Sequence, residues 1–260
     1  MTRPVILVAN DDGFRAPGIR TLARIARKLG RPCIVAPDQE QSATSHSLTL
    51  RRPLRVLPDA ADVWSVDGTP TDCVNLALNG GFLPGRPAMV LSGINHGANL
   101  GDDVTYSGTV AAAMEGTLHG VPSIAFSCES RDPEHEELDV LGPWILHLVG
   151  LVLTKGLPDG TLLNVNFPDP RRGPVRGIRT ARQGKRQYGA EIVEKTDPRN
   201  LKYYWIGGED VKSLHVPDAD IDVVSQGFVA VTPIHLDLTD ERFLTQLAAW
   251  PLTPPLDPAG

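Results

Sequence analysis

Apolar residues recur at two different periods along this chain, and each change of period marks an element. Residues 5–9, Val-Ile-Leu-Val-Ala, form an unbroken apolar run, as expected of a strand covered on both faces of a parallel sheet. Asn10-Asp11-Asp12-Gly13 ends it. Apolar residues then fall at 19, 22, 25, 26 and 29, a helical stripe with Gly30 placed as its C-cap. Cys33-Ile34-Val35-Ala36 predicts a second strand stopped by Pro37-Asp38, which completes a βαβ unit. Residues 47–50 and 54–57 read as a small hairpin, and 63–66 as a further strand. A helix is expected from Thr69-Pro70 to about Asn79, with proline suited to its first turn. Strands follow at 88–91, 123–127, 162–165 and 228–232. Helices are expected at 109–119, 141–155 and 218–225, and at 239–249 with Thr239 as N-cap. Residues 175–179 read as extended. Residues 188–193 and 201–206 read as a hairpin pair able to form an arm, and the tail beyond 250 as loose.

One stretch breaks both periods. Residues 92–116, SGINHGANLGDDVTYSGTVAAAMEG, carry glycine at 93, 97, 101 and 108, with asparagine or aspartate at 95, 99 and 103. Glycine at that density argues for a tight loop after the strand at 88–91. From Thr109 the pattern turns helical, so Ser107-Gly108-Thr109 falls at a helix N-terminus, a natural seat for phosphate. No Lys or Arg occurs between Arg86 and Arg131. A phosphate bound here is therefore expected to be met by backbone amides, hydroxyls, a helix end or a metal ion.

Composition narrows the class. The 260 residues suit one large α/β domain or a domain with an appendage, and 41% hydrophobic content supports a substantial core. Twenty-five basic residues against 31 acidic ones give a net charge of −6, with no stretch as dense as a nucleic-acid patch, so a polymer-binding role is disfavoured. Cys33, Cys73 and Cys128 are scattered and odd in number, and read as buried apolar residues in a reducing compartment. The N-terminal apolar run is too short for a signal peptide and no run approaches a membrane span, so a cytoplasmic location and no membrane partner are expected.

The candidate chemistry starts at Asp11-Asp12. Capping or solvation would explain a lone aspartate after a strand. Two adjacent carboxylates at the exit of a buried strand repel, and each is driven toward protonation unless a cation compensates. Ligands of open α/β sheets also bind at strand carboxyl ends. Ser42 and Asn95 follow strands in the same way, so parallel neighbours would bring all three loops together. Their oxygens are hard donors suited to Mg²⁺ or Mn²⁺ rather than zinc. Asn99, Ser107, Gly108 and Thr109 are the candidate phosphate groups, although helix capping alone would account for Ser107 or Thr109. His46 and His96 are low-weight proton donors, and Asp102-Asp103 read equally as supporting or solvated acids. The basic group at 171–186 reads first as a solvated face, with steering or holding an anionic substrate as the alternative.

These residues resemble a known family. Asn10-Asp11-Asp12-Gly13, the Pro37-Asp38…Ser42 loop and the whole of 92–116 are similar to the SurE family of survival-protein nucleotidases. The likeness extends to Leu162-Leu163-Asn164-Val165-Asn166 and Phe228-Val229-Ala230-Val231-Thr232-Pro233. The resemblance implies a Rossmann-like three-layer α/β/α sandwich with a mostly parallel sheet, as a single domain over 1–260. Its core would span about 1–170 and 214–235, its arm about 171–213, and its C-terminal helix and tail 236–260. It implies a metal-dependent phosphatase of nucleoside 5′- or 3′-monophosphates, with some members also trimming short polyphosphate. One divalent ion per subunit is implied on Asp11, Asp12, Ser42 and Asn95. A homodimer or homotetramer with C-terminal segment exchange is implied as well.

The expected reaction is phosphomonoester hydrolysis, with Asp11, Asp12 and Asn99 as catalytic residues and the phosphoryl oxygens seated against Asn99 and 107–109. A receiver domain also carries an acidic pair after its first strand but needs a later lysine, and none occurs from 29 to 154. Asp11-Asp12-Gly13 does not give the DxDx[TV] pattern of haloacid-dehalogenase-type phosphatases. A non-catalytic nucleotide-binding module stays open as the rival reading.

Overall fold

The computed structural model describes residues 3–130, 138–188, 192–206, 211–214, 216–250 and 252. Its centre is a nine-stranded sheet built on β1 (Val5–Ala9). On one side of β1 lie β2 (Arg31–Pro37), β4 (Val63–Val66) and the edge strand β3 (Val56–Ala60). On the other lie β5 (Met89–His96), β6 (Ser123–Cys128), β7 (Thr161–Phe167), β13 (Val229–His235) and β8 (Ile178–Thr180). From β4 to β7 all neighbours are parallel; β3 runs antiparallel to β4, and β13 antiparallel to β7.

Strand pleating sorts the core into two faces. Ile6, Val8, Met89, Leu91, Ile124 and Phe126 pack with α1 (Pro17–Ala26) and α4 (Gly142–Lys155). Their chain neighbours Leu7, Ala9 and Val90 pack with α2 (Pro70–Asn79) and α3 (Gly108–Leu118). The result is three layers around a buried, mostly parallel sheet, an α/β fold of the expected class. α2 starts as expected: Thr69 accepts the Asp72 N–H while the Asp72 carboxylate accepts the Thr69 N–H, a reciprocal cap with Pro70 in the first turn. Cys33, Cys73 and Cys128 are free and buried, and burial pushes all three thiols up. Among the described residues no helix is long and apolar enough to cross a membrane.

Several local expectations give way. The strand expected at 88–91 continues to His96, because Gly93, at φ +124°, lets the backbone bulge against β6 and resume pairing instead of leaving the sheet. The hairpin expected from 47–50 and 54–57 forms instead between β3 and β4, where the two-residue link uses Asp62 at φ +61°. α1 ends at Ala26 rather than at Gly30, its close tightened by i→i+3 bonds from Lys28 and Leu29. The last helix, α6 (Glu241–Leu247), is capped by Asp240, whose carboxylate accepts the Arg242 and Phe243 N–H groups; Thr239 is not the cap.

The arm is nested. β9 (Lys185–Tyr188) pairs with β12 (Val211–Leu214), and inside them β10 (Ile192–Thr196) pairs with β11 (Lys202–Ile206). The expected strand at 188–193 partly falls on 189–191, outside the described residues, as does the expected tail except Leu252. The short helix α5 (Asp220–Ser225) returns the chain to β13.

Candidate active site

The strand order reverses at β1: β2 lies on one side and β5, after two intervening strands in the chain, on the other. The carboxyl ends of β1 and β5 therefore frame a crevice at the topological switch point, where ligands of such sheets bind. Asp11-Asp12 leaves β1 there, and Asn95 lies at the same end of β5. The loop after β2 is stitched to the β1 exit by the Gln41 N–H to Asp11 O (2.8 Å) and the Phe14 N–H to Pro37 O (3.0 Å). Those bonds carry Ser42 to the same rim. Neither aspartate caps α1, whose N-cap is Ala16 without a side-chain bond.

The acidic pair is built in. Asp11 is 5% exposed, and the Thr109 hydroxyl donates to its Oδ1. The same hydroxyl lies 3.1 Å from Asn95 Oδ1, while Asn95 Nδ2 donates to Gly97 O at 2.8 Å, so the amide oxygen is the end turned toward Asp11. The Asp12 carboxylate takes the His96 N–H, yet its Oδ2 is buried with no partner. Burial, then the neighbouring Asp11 charge, raises the Asp12 carboxyl to about 7; burial raises Asp11 as well. A buried carboxylate oxygen without a donor, beside a second buried carboxylate, is the arrangement a hard cation fits. Among the described residues there is no cluster of three His, Cys, Asp or Glu suited to a metal; Asp11, Asp12, Ser42 and Asn95, which line one cleft, are the oxygen donors that could hold one. The Ser42 hydroxyl donates to Glu40 Oε1 at 2.6 Å, which leaves its lone pairs available.

Opposite these carboxylates stands the start of α3. A Cβ on Gly108 would lie 2.7 Å from Asp11 Cβ, so only glycine lets this first turn come so close. Ser107 caps the helix by accepting the Val110 N–H at 3.1 Å. Thr109 is fully buried, and both its hydroxyl and its backbone N–H are engaged by the Asp11 carboxylate.

Asn99 is held by residues far away in sequence. Its N–H donates to Asn166 Oδ1 (2.8 Å), its carbonyl accepts from Asn164 Nδ2 (2.9 Å) and Asn166 Nδ2 (3.0 Å), and its own Nδ2 donates to Ser127 Oγ (2.8 Å). The functional part of Asn164 and Asn166 was not anticipated. Their signal is two asparagines at strand period inside the apolar run of β7.

Asp11, Asp12, Ser42, Asn95, Asn99 and Ser107 line a single cleft of about 1170 Å³. Glu40, His96, Tyr106 and Glu129 share its wall. So do Arg172 and Arg186, which corrects the reading of the site as one without arginine, while the rest of the basic group is exposed as expected of a solvated face. Arg172 pairs with Glu129 at 3.1 Å and Arg186 with Asp103. The local sequence lacks cations, but the topology delivers two. His46 pairs with Glu115 at 2.8 Å and is not among the cleft-lining residues, whereas His96 is.

Comparison with known proteins identifies the fold and the family. The family model described as "Survival protein SurE" matches residues 6–190. "5'-nucleotidase SurE" of Syntrophotalea carbinolica is 49% identical over 253 residues, covering 97% of this chain and 100% of the relative. The protein of the same name from Paramagnetospirillum magneticum is 50% identical over 235 residues, covering 90% of each. The crystal structure of the SurE protein from Aquifex aeolicus superposes with a TM-score of 0.81 at 40% identity, covering 94% of this chain and 98% of that one. With a family match over most of its length, relatives near half identity and the same fold, the chain belongs to the SurE family.

Proposed function

We propose that this protein is a divalent-cation-dependent phosphomonoesterase that releases phosphate from nucleoside 5′-monophosphates, as the names of its relatives say of them. The observation that carries the cation dependence is the buried, unpartnered Asp12 Oδ2 beside a second buried carboxylate, facing a helix N-terminus across the cleft. Asp11, Asp12, Ser42 and Asn95 are the residues that would hold one Mg²⁺ or Mn²⁺. When bound, such an ion supplies polarisation of a phosphoryl oxygen and a lowered pKa for coordinated water.

The chain's own groups do the rest. Thr109 holds Asp11 in orientation, and the His96 N–H holds Asp12. Asn99, fixed by Asn164, Asn166 and Ser127, presents its amide to the cleft. The first turn of α3 presents the positive end of its helix dipole to phosphoryl oxygens and stabilises charge as it develops there. Arg172 on the cleft wall lessens the negative field that a dianionic ester meets on entering an otherwise acidic cleft. Activity on 3′ esters and short polyphosphate, a cytoplasmic location, and a homodimer or homotetramer exchanging C-terminal segments complete the proposal. The exposed Tyr204, Trp205 and Ile206 on β11 support the arm as a subunit contact.

The test is a panel of nucleoside 5′- and 3′-monophosphates and polyphosphate, assayed for free phosphate with Mn²⁺, Mg²⁺ or EDTA. Turnover of 5′-monophosphates with cation and none in EDTA is expected. Saturable nucleotide binding without product would favour the non-catalytic module instead.

The raised Asp12 carboxyl has a signed consequence for stability. Between 3.8 and about 7 the folded, cation-free chain binds a proton that the unfolded chain has lost. The contribution of this group to stability is therefore complete below the lower value and falls as pH rises toward the upper one. In EDTA, Tm is expected to fall between about pH 5 and about pH 7.5, and Mn²⁺ to raise Tm more at the higher pH, where its ligands are deprotonated. A Tm in EDTA that climbs across this interval, with equal Mn²⁺ gains at both ends, would count against the paired buried carboxylates.

A further inference from the structure

The arm reaches the cleft through Arg186, and the contacts around it run in a chain toward the phosphate seat. Arg186 lies on β9 at the root of the arm. Its guanidinium pairs with the Asp103 carboxylate, and both side chains are largely covered, 22% and 15% exposed. Its backbone N–H donates to Asp102 Oδ2 at 2.9 Å. Asp103 in turn fixes the next turn of chain: its carbonyl accepts the Tyr106 N–H (3.0 Å) and the Ser107 N–H (3.1 Å). Ser107 is the N-cap of α3 and lines the cleft.

A second set of bonds fastens the same two segments. The Asp220 carboxylate, fully buried at the start of α5, accepts the Gly101 N–H (3.0 Å) from the cleft loop and the Gly184 N–H (2.9 Å) from the arm root. Gln183 Nε2 donates to Gly101 O at 3.0 Å. Residues 182–186 and 101–107 thus form one bonded block. Within it, only the Arg186–Asp103 pair joins an arm side chain to the residue whose carbonyl holds the Ser107 N–H.

We propose that Arg186 is a positioning residue for the reaction: acting through Asp103, it sets where Ser107 and the first turn of α3 stand relative to Asp11, so the arm governs turnover. The inference rests on the phosphomonoesterase reading. It explains why a residue of the protruding arm is built into the cleft wall, and why the Asp102-Asp103 pair is neither solvated nor among the residues fitting the cation. The tolerance is small, since a Cβ on Gly108 would already lie 2.7 Å from Asp11 Cβ.

The experiment compares wild type, Arg186→Gln, Arg186→Lys, Asp103→Ala and the Arg186→Gln/Asp103→Ala double variant. It measures kcat and KM on a nucleoside 5′-monophosphate at saturating Mn²⁺, together with hydrogen exchange across residues 100–110. Arg186→Gln is expected to lower kcat about tenfold or more with KM within about threefold, since misplacement by an ångström costs rate rather than ground-state binding. Arg186→Lys, which keeps the charge, recovers part of the loss. The double variant is no slower than the worse single one, because both break the same link. Exchange at the Ser107 and Gly108 amides quickens in each single variant.

Wild-type kinetics in soluble Arg186→Gln and Asp103→Ala would overturn the inference. So would a raised KM at unchanged kcat, which marks a substrate contact, or additive losses in the double variant. If Arg186→Gln does not fold, Asp103→Ala tests the same link from the loop side with the arm intact. A wild-type protein that releases no phosphate sinks the phosphomonoesterase reading itself. An active wild type with indifferent variants sinks this inference alone.

Discussion

Asp11→Asn should abolish cation-dependent phosphate release and, in the same protein, raise the stability of the cation-free fold. The substitution keeps the shape of the side chain and an oxygen for the Thr109 hydroxyl, so the bonded group of Asp11, Thr109 and Asn95 survives. What disappears is one of two buried charges. Without it a hard cation loses a donor, and stabilisation of developing phosphoryl charge goes with it; kcat is expected to fall about 10³-fold. The Asp12 carboxyl, held near 7 by burial and by the Asp11 charge, then loses that neighbour and drops toward its ordinary value. The cation-free variant should consequently melt higher than wild type at about pH 7.5, with less of the decline toward neutral pH. Phosphate release and thermal melts in EDTA check both halves. Near-wild-type turnover indifferent to EDTA would show that the carboxylates do not carry the chemistry.

Gly93→Ala should destabilise the fold by about 3–5 kcal/mol, combining backbone strain with a clash in the sheet centre. Gly93 sits at φ +124°, which L side chains rarely adopt, and a Cβ there would lie 2.2 Å from Phe126 O. That carbonyl belongs to β6, on the far side of the bulge between Ser92 and Asn95. Relief therefore means separating two parallel strands beneath Asn95. Urea unfolding measures the loss as a lower midpoint at unchanged slope. A soluble variant with the wild-type midpoint would show that the bulge tolerates a side chain and does not constrain the β5 end of the site.

The contrast between these residues shows what a chain of this kind reveals before it is folded. That Asp11, Asp12, Asn95 and Ser107 share one cleft was legible because each follows an apolar run or opens a helical pattern, and in a parallel sheet such places share one edge. Thr69-Pro70 was legible because a cap is decided by three adjacent residues. The bulge at Gly93 was not, because glycine looks the same whether a strand ends there or swerves and resumes. Arg172 and Arg186 were hidden for a different reason. The stretch between Arg86 and Arg131 holds no cation of its own, whereas the cleft wall is assembled from β9 and the turn after β7, segments more than 60 residues beyond Asn99. Asn164 and Asn166 showed in the sequence as polar positions on one face of an apolar strand. Their task, holding Asn99 in place, exists only once β7 lies beside β6.

The account depends on one hard cation seated among oxygens from three separate strand ends. Anomalous diffraction from crystals grown with Mn²⁺ tests it most directly. A single strong peak bounded by Asp11, Asp12, Ser42 and Asn95, lost in Asp11→Asn, is the predicted result. A peak elsewhere on the chain, or one at this site that persists in Asp11→Asn with Ser42 and Asn95 turned away, would contradict it.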